Sequence, residues 1–340
     1  MLQQNEDPRD LRALPKAELH LHLLAAMRPA TLAELAAENG IEAPDPRAFT
    51  NFGEFQRVFQ AAYRATSAQP GNLERLVREC VADAAADGVV WVQPHFSPMV
   101  YAQFGTPESV MELVLAAGLD EGGRRGVGFG LTMAAQRHES PQAAERLARF
   151  AARYSGDGVR AFGLTGDESM FPSEPFASAF AIARDAGLTS APHAGELAGP
   201  HSVRSAVIHL GAKRLAHGVR AIEDPRLLEF LMEREVSFDV CLTSNQALGV
   251  YPELAAHPLP ELLGVGIRCS LGADDPLMFG PGLLGEYRVA REELGLPDEV
   301  LAELARTSIE TSDAPAALVA DAVAGIEGWL TLPGPTSAAT

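Results

Sequence analysis

Lys16-Ala17-Glu18-Leu19-His20-Leu21-His22-Leu23 sets two imidazoles two residues apart in an otherwise apolar, alternating run. On a strand this spacing turns both rings to one face. Neutral imidazole is the commonest zinc-binding nitrogen, so the pair supplies half of a tetrahedral site. A strand with two packed histidines would read the same, and the rest of the chain has to separate the two.

Seven further strand-like runs follow: Val89–Phe96, Gly126–Ala134, Val159–Thr165, Leu188–His193, Arg214–His217, Val236–Leu242 and Gly266–Leu271. Amphipathic, Ala- and Leu-rich stretches lie between them, among them Leu73–Ala86, Pro141–Tyr154, Phe176–Ala186 and Ser202–Leu210. Counting the first run, eight strand–helix units are the arithmetic of a (β/α)8 TIM barrel, an α/β fold. A doubly wound open sheet is the alternative, but the Gly-x-Gly-x-x-Gly turn it usually carries after its first strand is missing. Gly126, Gly128 and Gly130 fall inside a strand-like run and read as close-packing positions.

No linker, repeat or composition shift divides the chain, so residues 1–331 are expected to form one domain. The long segment between the first two strands, about residues 27–88, reads as helices over Thr31–Asn39, Phe52–Thr66 and Asn72–Ala86. It leaves the carboxyl end of the first strand and is expected to lie over the barrel mouth as a lid. Leu332–Thr340, rich in Pro, Ser and Thr, is expected to be a disordered tail.

Composition narrows the function. The chain has 340 residues, 47% of them hydrophobic, and a formal net charge of −18, which argues against a nucleic-acid partner because phosphate binding is driven by Lys and Arg. No signal peptide or membrane span is evident, so a cytoplasmic protein without a membrane partner is expected, and monomer and homo-oligomer both fit. Cys80, Cys241 and Cys269 have no Cys-x-x-Cys spacing, which excludes a disulfide framework and a cysteine zinc cluster.

Three more clusters carry chemistry. In His193-Ala194-Gly195-Glu196 the histidine can join the metal, while the glutamate sits nearby as a proton donor or acceptor. His217, before Gly218, either belongs to the same site or caps a strand. Asp274-Asp275-Pro276 is either an acidic turn or a pair in which one carboxylate binds metal and the other reaches substrate. All four clusters fall at carboxyl ends of strands one, five, six and eight, where a barrel gathers its catalytic residues. His20, His22, His193 and Asp274 then make a three-nitrogen, one-oxygen set for one divalent ion with a position left for water.

With these motifs the chain resembles the adenosine deaminase family of the amidohydrolase superfamily. The resemblance runs from Leu14-Pro15-Lys16 through Asp87-Gly88, Phe96-Ser97-Pro98, Gly166-Asp167-Glu168, His193-Ala194-Gly195-Glu196, Ala216-His217-Gly218, Cys241-Leu242-Thr243-Ser244-Asn245 and Asp274-Asp275-Pro276-Leu277 to Arg306-Thr307-Ser308. It implies one Zn2+ per chain and a purine substrate attacked at C6 by a water that the zinc acidifies. It also implies that His217 orients this water and takes its proton, helped by Asp274. Protonated Glu196 would hold N1, Asp275 would contact N7, and the Gly166 N–H would contact N3; ammonia leaves and a 6-oxopurine remains. The Cys-rich signature of the nucleobase deaminases is absent.

Two departures stand out. Family members usually follow His-x-His-Leu with an acid, which accepts the ribose 5′-hydroxyl, and a glycine; here the positions hold Leu24 and Ala25. Leucine accepts no hydrogen bond, and a hydroxyl buried against it would lose about 1–3 kcal/mol. The added methyl of Ala25 is expected to narrow the pocket. Either the hydroxyl bonds elsewhere, or the natural substrate lacks it. Candidates of the second kind are a 5′-modified adenosine, 6-aminodeoxyfutalosine of menaquinone synthesis, or free adenine. Gln93-Pro94-His95 is the other departure, where relatives show Glu and Arg; Pro94 should make the second strand irregular, and His95 reads as structural. Another amidohydrolase reaction, or an inactive nucleoside-binding protein, is the remaining alternative, disfavoured by the Glu196 and His217 pair and by the intact ligand set.

Overall fold

In the computed structural model, which describes residues 9–331, the first run starts as a strand and then changes character. Strand β1 covers only Lys16–Glu18. Beyond it the chain makes isolated parallel bridges, Leu21 to Asp274 on one side and His22 to His95 on the other. His20 and His22 therefore belong to a bridged extension and not to a regular strand, because alternate residues find partners in different neighbours. The expected tail, Leu332–Thr340, lies outside the described residues.

The remaining strands are β2 (Val89–Val92), β3 (His95–Phe96), β4 (Gly128–Phe129), β5 (Leu131–Gln136), β6 (Val159–Thr165), β7 (Thr189–Ser190), β8 (His193–Ala194), β9 (Arg214–His217), β10 (Ser237–Val240) and β11 (Arg268–Leu271). They form three sheets in the orders β1-β2-β4, β3-β5-β6-β7 and β11-β10-β9-β8. All pairings are parallel. The chain is thus a mixed α/β protein built on parallel sheets.

Each of the eight runs contains strand, but three are broken in two. Proline explains two of the breaks, since it donates nothing to a ladder. Pro94 parts β2 from β3, as its sequence position predicts, and Pro192 parts β7 from β8. Gly130 interrupts the third run, where its N–H still reaches the Val92 carbonyl at 3.0 Å. The close-packing reading of the glycines holds at two positions of three. A Cβ on Gly128 would stand 2.5 Å from Trp91 Cε3, and one on Gly130 would stand 2.7 Å from Trp91 Cζ2. Gly126 instead takes φ +71° and caps the helix Pro107–Arg125, with open space around it.

Between β1 and β2 lie α1 (Pro29–Glu38), α2 (Phe52–Thr66) and α3 (Pro70–Ala86). Two of them start two residues before the sequence pattern suggests. Proline at the first helical position has no N–H to leave unpaired, so Pro29 and Pro70 begin helices rather than break them. A large apolar core lies between sheets and helices. A second cluster gathers Leu24, Ala25 and Met27 with Leu35 of α1, Phe55 of α2 and Leu277. Burying a Leu or Phe side chain contributes about 1.5–3 kcal/mol, so this cluster is what holds α1 and α2 down. No described helix is long and apolar enough to cross a membrane.

Candidate metal centre and active site

Segments far apart in sequence bring their polar ends to one point. His20 Nε2 stands 3.1 Å from His193 Nε2, and His22 Nε2 stands 3.2 Å from the same atom. Asp274 Oδ1 is 3.5 Å from His20 Nε2 and 3.4 Å from His22 Nε2. Ligands held 2.0–2.1 Å from a tetrahedral centre are roughly 3.3 Å apart. The donor set fits a divalent cation on chemistry as well. Burial pushes His22 down to about 4 and His193 well below the usual imidazole range, so both rings are neutral. A cation between them would satisfy the lone pairs that neutral rings turn toward one another at this distance.

The surroundings fix these rings. His20 Nδ1 donates to the Asp239 carbonyl at 3.1 Å, which leaves its Nε2 bare for the cluster. Asp239 is held in turn by Arg214 Nε at 2.9 Å and by the Ser270 hydroxyl at 2.7 Å. Ser244 donates to Asp274 Oδ2 at 2.6 Å. Burial alone would raise the Asp274 carboxyl, but His20, His217, His22 and Ser244 outweigh it and hold it below the usual range. His217 and Asp274 carry φ of 70° and 58°. That is rare for residues with a side chain and is a conformation concentrated at functional sites.

His217 and Glu196 face the same point from the other side. His217 Nε2 lies 3.5 Å from Glu196 Oε1 and 3.9 Å from Asp274 Oδ2. Burial raises the Glu196 carboxyl well above the usual range, and the charges of Asp274, Glu168 and Asp167 add to it. Burial and the adjoining Asp274 do the same to Asp275, whose Oδ1 is buried without a hydrogen-bond partner. Gly166 stands just past β6, and Leu24 is buried in the second apolar cluster.

Five participants are hard to find in sequence. Glu168 lies in the Gly166-Asp167-Glu168 marker but has no visible role there. Its carboxylate accepts from the N–H groups of Gly195, Glu196 and Ala198 at 2.9, 2.6 and 2.9 Å, and from the Ser202 hydroxyl at 2.5 Å. Arg137 donates to the His193 carbonyl at 2.6 Å. Asn245 and His257 stand behind His217. His95 joins the histidine cluster, its ring stacked on His20 at 5.7 Å and meeting His193 edge-on at 5.3 Å. Only the sequence departure at Gln93-Pro94-His95 pointed toward it.

Comparison with known proteins agrees with this geometry. The profile of the adenosine deaminase family matches residues 15–324. A protein of Streptomyces coelicolor, provisionally named an adenosine/adenine deaminase, is 44% identical over 96% of this chain and 99% of its own. The aminodeoxyfutalosine deaminase of Acidothermus cellulolyticus is 34% identical and is covered, like this chain, over 87%. Among solved structures, a zinc-bound amidohydrolase from Burkhoderia ambifaria is 25% identical with a TM-score of 0.82, over 94% of this chain and 92% of its own.

Glu168→Ala should strand three buried backbone donors. Unpaired buried N–H groups cost about 1–3 kcal/mol each, so a loss of roughly 3–5 kcal/mol is expected in denaturant unfolding. A loss below 1 kcal/mol would mean that the carboxylate does not hold the Gly195–Ala198 loop.

Proposed function

Because this chain belongs to the adenosine deaminase family of hydrolytic deaminases, we propose that it replaces the 6-amino group of a purine with oxygen and that the substrate lacks a free 5′-hydroxyl. One observation carries the reading: His193 Nε2 and Asp274 Oδ1 each stand 3.1–3.5 Å from both His20 and His22 Nε2, and His217 with Glu196 stands beside this cluster. The three parallel sheets and their bridges are read as one (β/α)8 barrel. Its carboxyl-end face carries this site, and α1 to α3 form the lid of a single domain.

His20, His22, His193 and Asp274 would hold one zinc ion. Bound there, zinc supplies Lewis acidity that makes water a nucleophile near neutral pH. Asp274 takes the proton of the attacking water, and His217 faces the same oxygen. Glu196 enters protonated, as its raised pKa supports, and gives its proton to N1 as the C6–O bond forms. Asp275, kept neutral by the same causes, donates to N7, and the Gly166 N–H lies against N3. The Asp274 proton then leaves with the amino group as ammonia. The proton of the added hydroxyl returns to Glu196, and the 6-oxopurine remains.

Leu24 supports the substrate class. It sits where relatives place the acid that takes the 5′-hydroxyl, and its side chain is packed with Met27 and Phe55. No carboxylate reaches the sugar from this loop, so a 5′-deoxy, 5′-thioether or otherwise substituted adenosine fits better than adenosine.

Metal analysis of the purified protein should return one zinc per chain, and His193→Ala should lose it. A full, tightly held equivalent in that variant would overturn the ligand set.

Glu196→Gln should lower kcat by about 10²–10⁴, because the amide bonds N1 but brings no transferable proton. The parent should lose activity as pH rises through the Glu196 pKa, since only the protonated acid works, and the variant should lack that limb. Near-parental turnover would remove Glu196 from the chemistry.

The 6-amino to 6-oxo ultraviolet shift, followed on adenosine, 5′-deoxyadenosine, 5′-methylthioadenosine, aminodeoxyfutalosine and adenine, tests the whole reading. At least one 5′-modified nucleoside should match or exceed adenosine in kcat/KM, and Leu24→Asp should shift preference toward adenosine by about tenfold. Adenosine ahead of every analogue by a hundredfold would sink the inference from Leu24, and no shift with any of the five would sink the deaminase.

A further inference from the structure

Behind His217 runs a buried chain of hydrogen bonds that begins at a group with no choice of role. The backbone N–H of Leu259 can only donate, and it points at His257 Nδ1 from 3.1 Å. His257 Nδ1 is therefore the acceptor, so a neutral ring carries its proton on Nε2. That nitrogen lies 3.1 Å from Asn245 Oδ1. With its oxygen accepting, the Asn245 amide must turn its NH2 the other way, where Nδ2 meets His217 Nδ1 at 3.2 Å. His217 Nδ1 is an acceptor in its turn, which leaves the ring proton on Nε2, the atom that faces Glu196 and Asp274.

Reversing the chain fails at its far end. If the Asn245 amide flipped, His257 Nε2 would have to accept and its proton would move to Nδ1. Two N–H groups would then confront each other across 3.1 Å. All three side chains are buried, so water is poorly placed to substitute. A second proton on either ring fails for the same reason, since it would set an N–H on His257 Nδ1 against the Leu259 N–H or one on His217 Nδ1 against the Asn245 amide.

We propose that Asn245 and His257 are positioning residues that lock the ring proton of His217 on Nε2, so that His217 acts as a hydrogen-bond donor to the reacting oxygen and not as the base that deprotonates it. This departs from the base role that family resemblance assigns to His217. A nitrogen that already holds a proton has no lone pair to take another, and the ring's other nitrogen is occupied by the Asn245 amide, so the proton of the attacking water has the Asp274 carboxylate as its acceptor. Throughout the cycle His217 keeps its Nε2 proton. The donated bond strengthens as negative charge grows on the oxygen at C6, so it favours the transition state over the bound substrate.

The catalytic part of this inference rests on the deaminase reading, but the tautomer does not. Nitrogen-15 NMR of the zinc-loaded protein, labelled at histidine, should show His217 as the Nε2–H tautomer. Asn245→Asp replaces the donor by an acceptor and should move that proton to Nδ1. The same variant should lose about 100-fold in kcat, with KM within threefold and zinc content unchanged. His257→Phe frees the Asn245 amide and should cost roughly tenfold, with His257→Gln, whose NH2 can still donate to Asn245 Oδ1, restoring most of it. The proposal is overturned if the parent shows His217 protonated on Nδ1, or if Asn245→Asp moves the proton and leaves kcat intact. Activity absent from the parent on every purine, with the Nε2–H signal present, would count against the deaminase reading and leave the tautomer lock standing.

Discussion

A cluster in which His193 Nε2 stands 3.1–3.2 Å from His20 and His22 Nε2, and Asp274 Oδ1 3.4–3.5 Å from the same two nitrogens, is the constraint on which the rest of this structure depends. Such a cluster tolerates little error, and its members come from segments up to about 250 residues apart. The backbone supplies the rigidity. Asp274 N–H donates to the His20 carbonyl at 2.8 Å, and His22 N–H returns a bond to the Asp274 carbonyl at 2.9 Å. Below them the buried Glu18 accepts from His20 N–H and Ala273 N–H, both at 3.1 Å, so one carboxyl ties the first and last segments together. Breaking such a buried arrangement by removing one partner is costly, because the groups left behind have no water to turn to.

Four acids crowd the same site, and their surroundings differ. Asp274 faces histidines and is held low; Glu196 and Asp275 face mainly other carboxylates and buried surroundings, and are pushed up. Glu168 is engaged by four donors around its two oxygens. Environments that push neighbouring carboxyl groups apart assign them different roles. On the proposed reading they separate a cation ligand, two proton donors and a clamp on the loop. The hydrogen-bond chain through Asn245 and His257 does the same for a histidine, using direction in place of charge.

The apolar side of the site is equally specific. Leu24 and Ala25 pack into a cluster that also contains Leu277, two residues beyond Asp275, and Phe55 on α2. The loop that departs from its relatives is therefore part of the surface that seats α1 and α2. A polar group introduced there would have to be accommodated by the helices, which ties any change at Leu24 to the packing of this segment.

Much of the architecture was legible from the chain alone. Each strand-like run contains strand because its apolar residues are local in sequence, and Pro94 announced its own interruption of the ladder. The ligand candidates were legible for a similar reason: His20, His22, His193 and Asp274 are residue types with few structural uses in such motifs, at the ends of such runs. Tertiary structure decided the rest. It showed His20 and His22 leaving the regular strand, since bridges to His95 and Asp274 are long-range pairings. It brought His95 into the histidine cluster and turned Gly126 into a helix cap. Glu168 became a clamp only once three N–H groups converged on it. The direction of the Asn245–His257 chain depends on where the Leu259 N–H points. Residue types and short spacings are written in the sequence, whereas the direction of a hydrogen bond between distant segments exists only after the chain has packed.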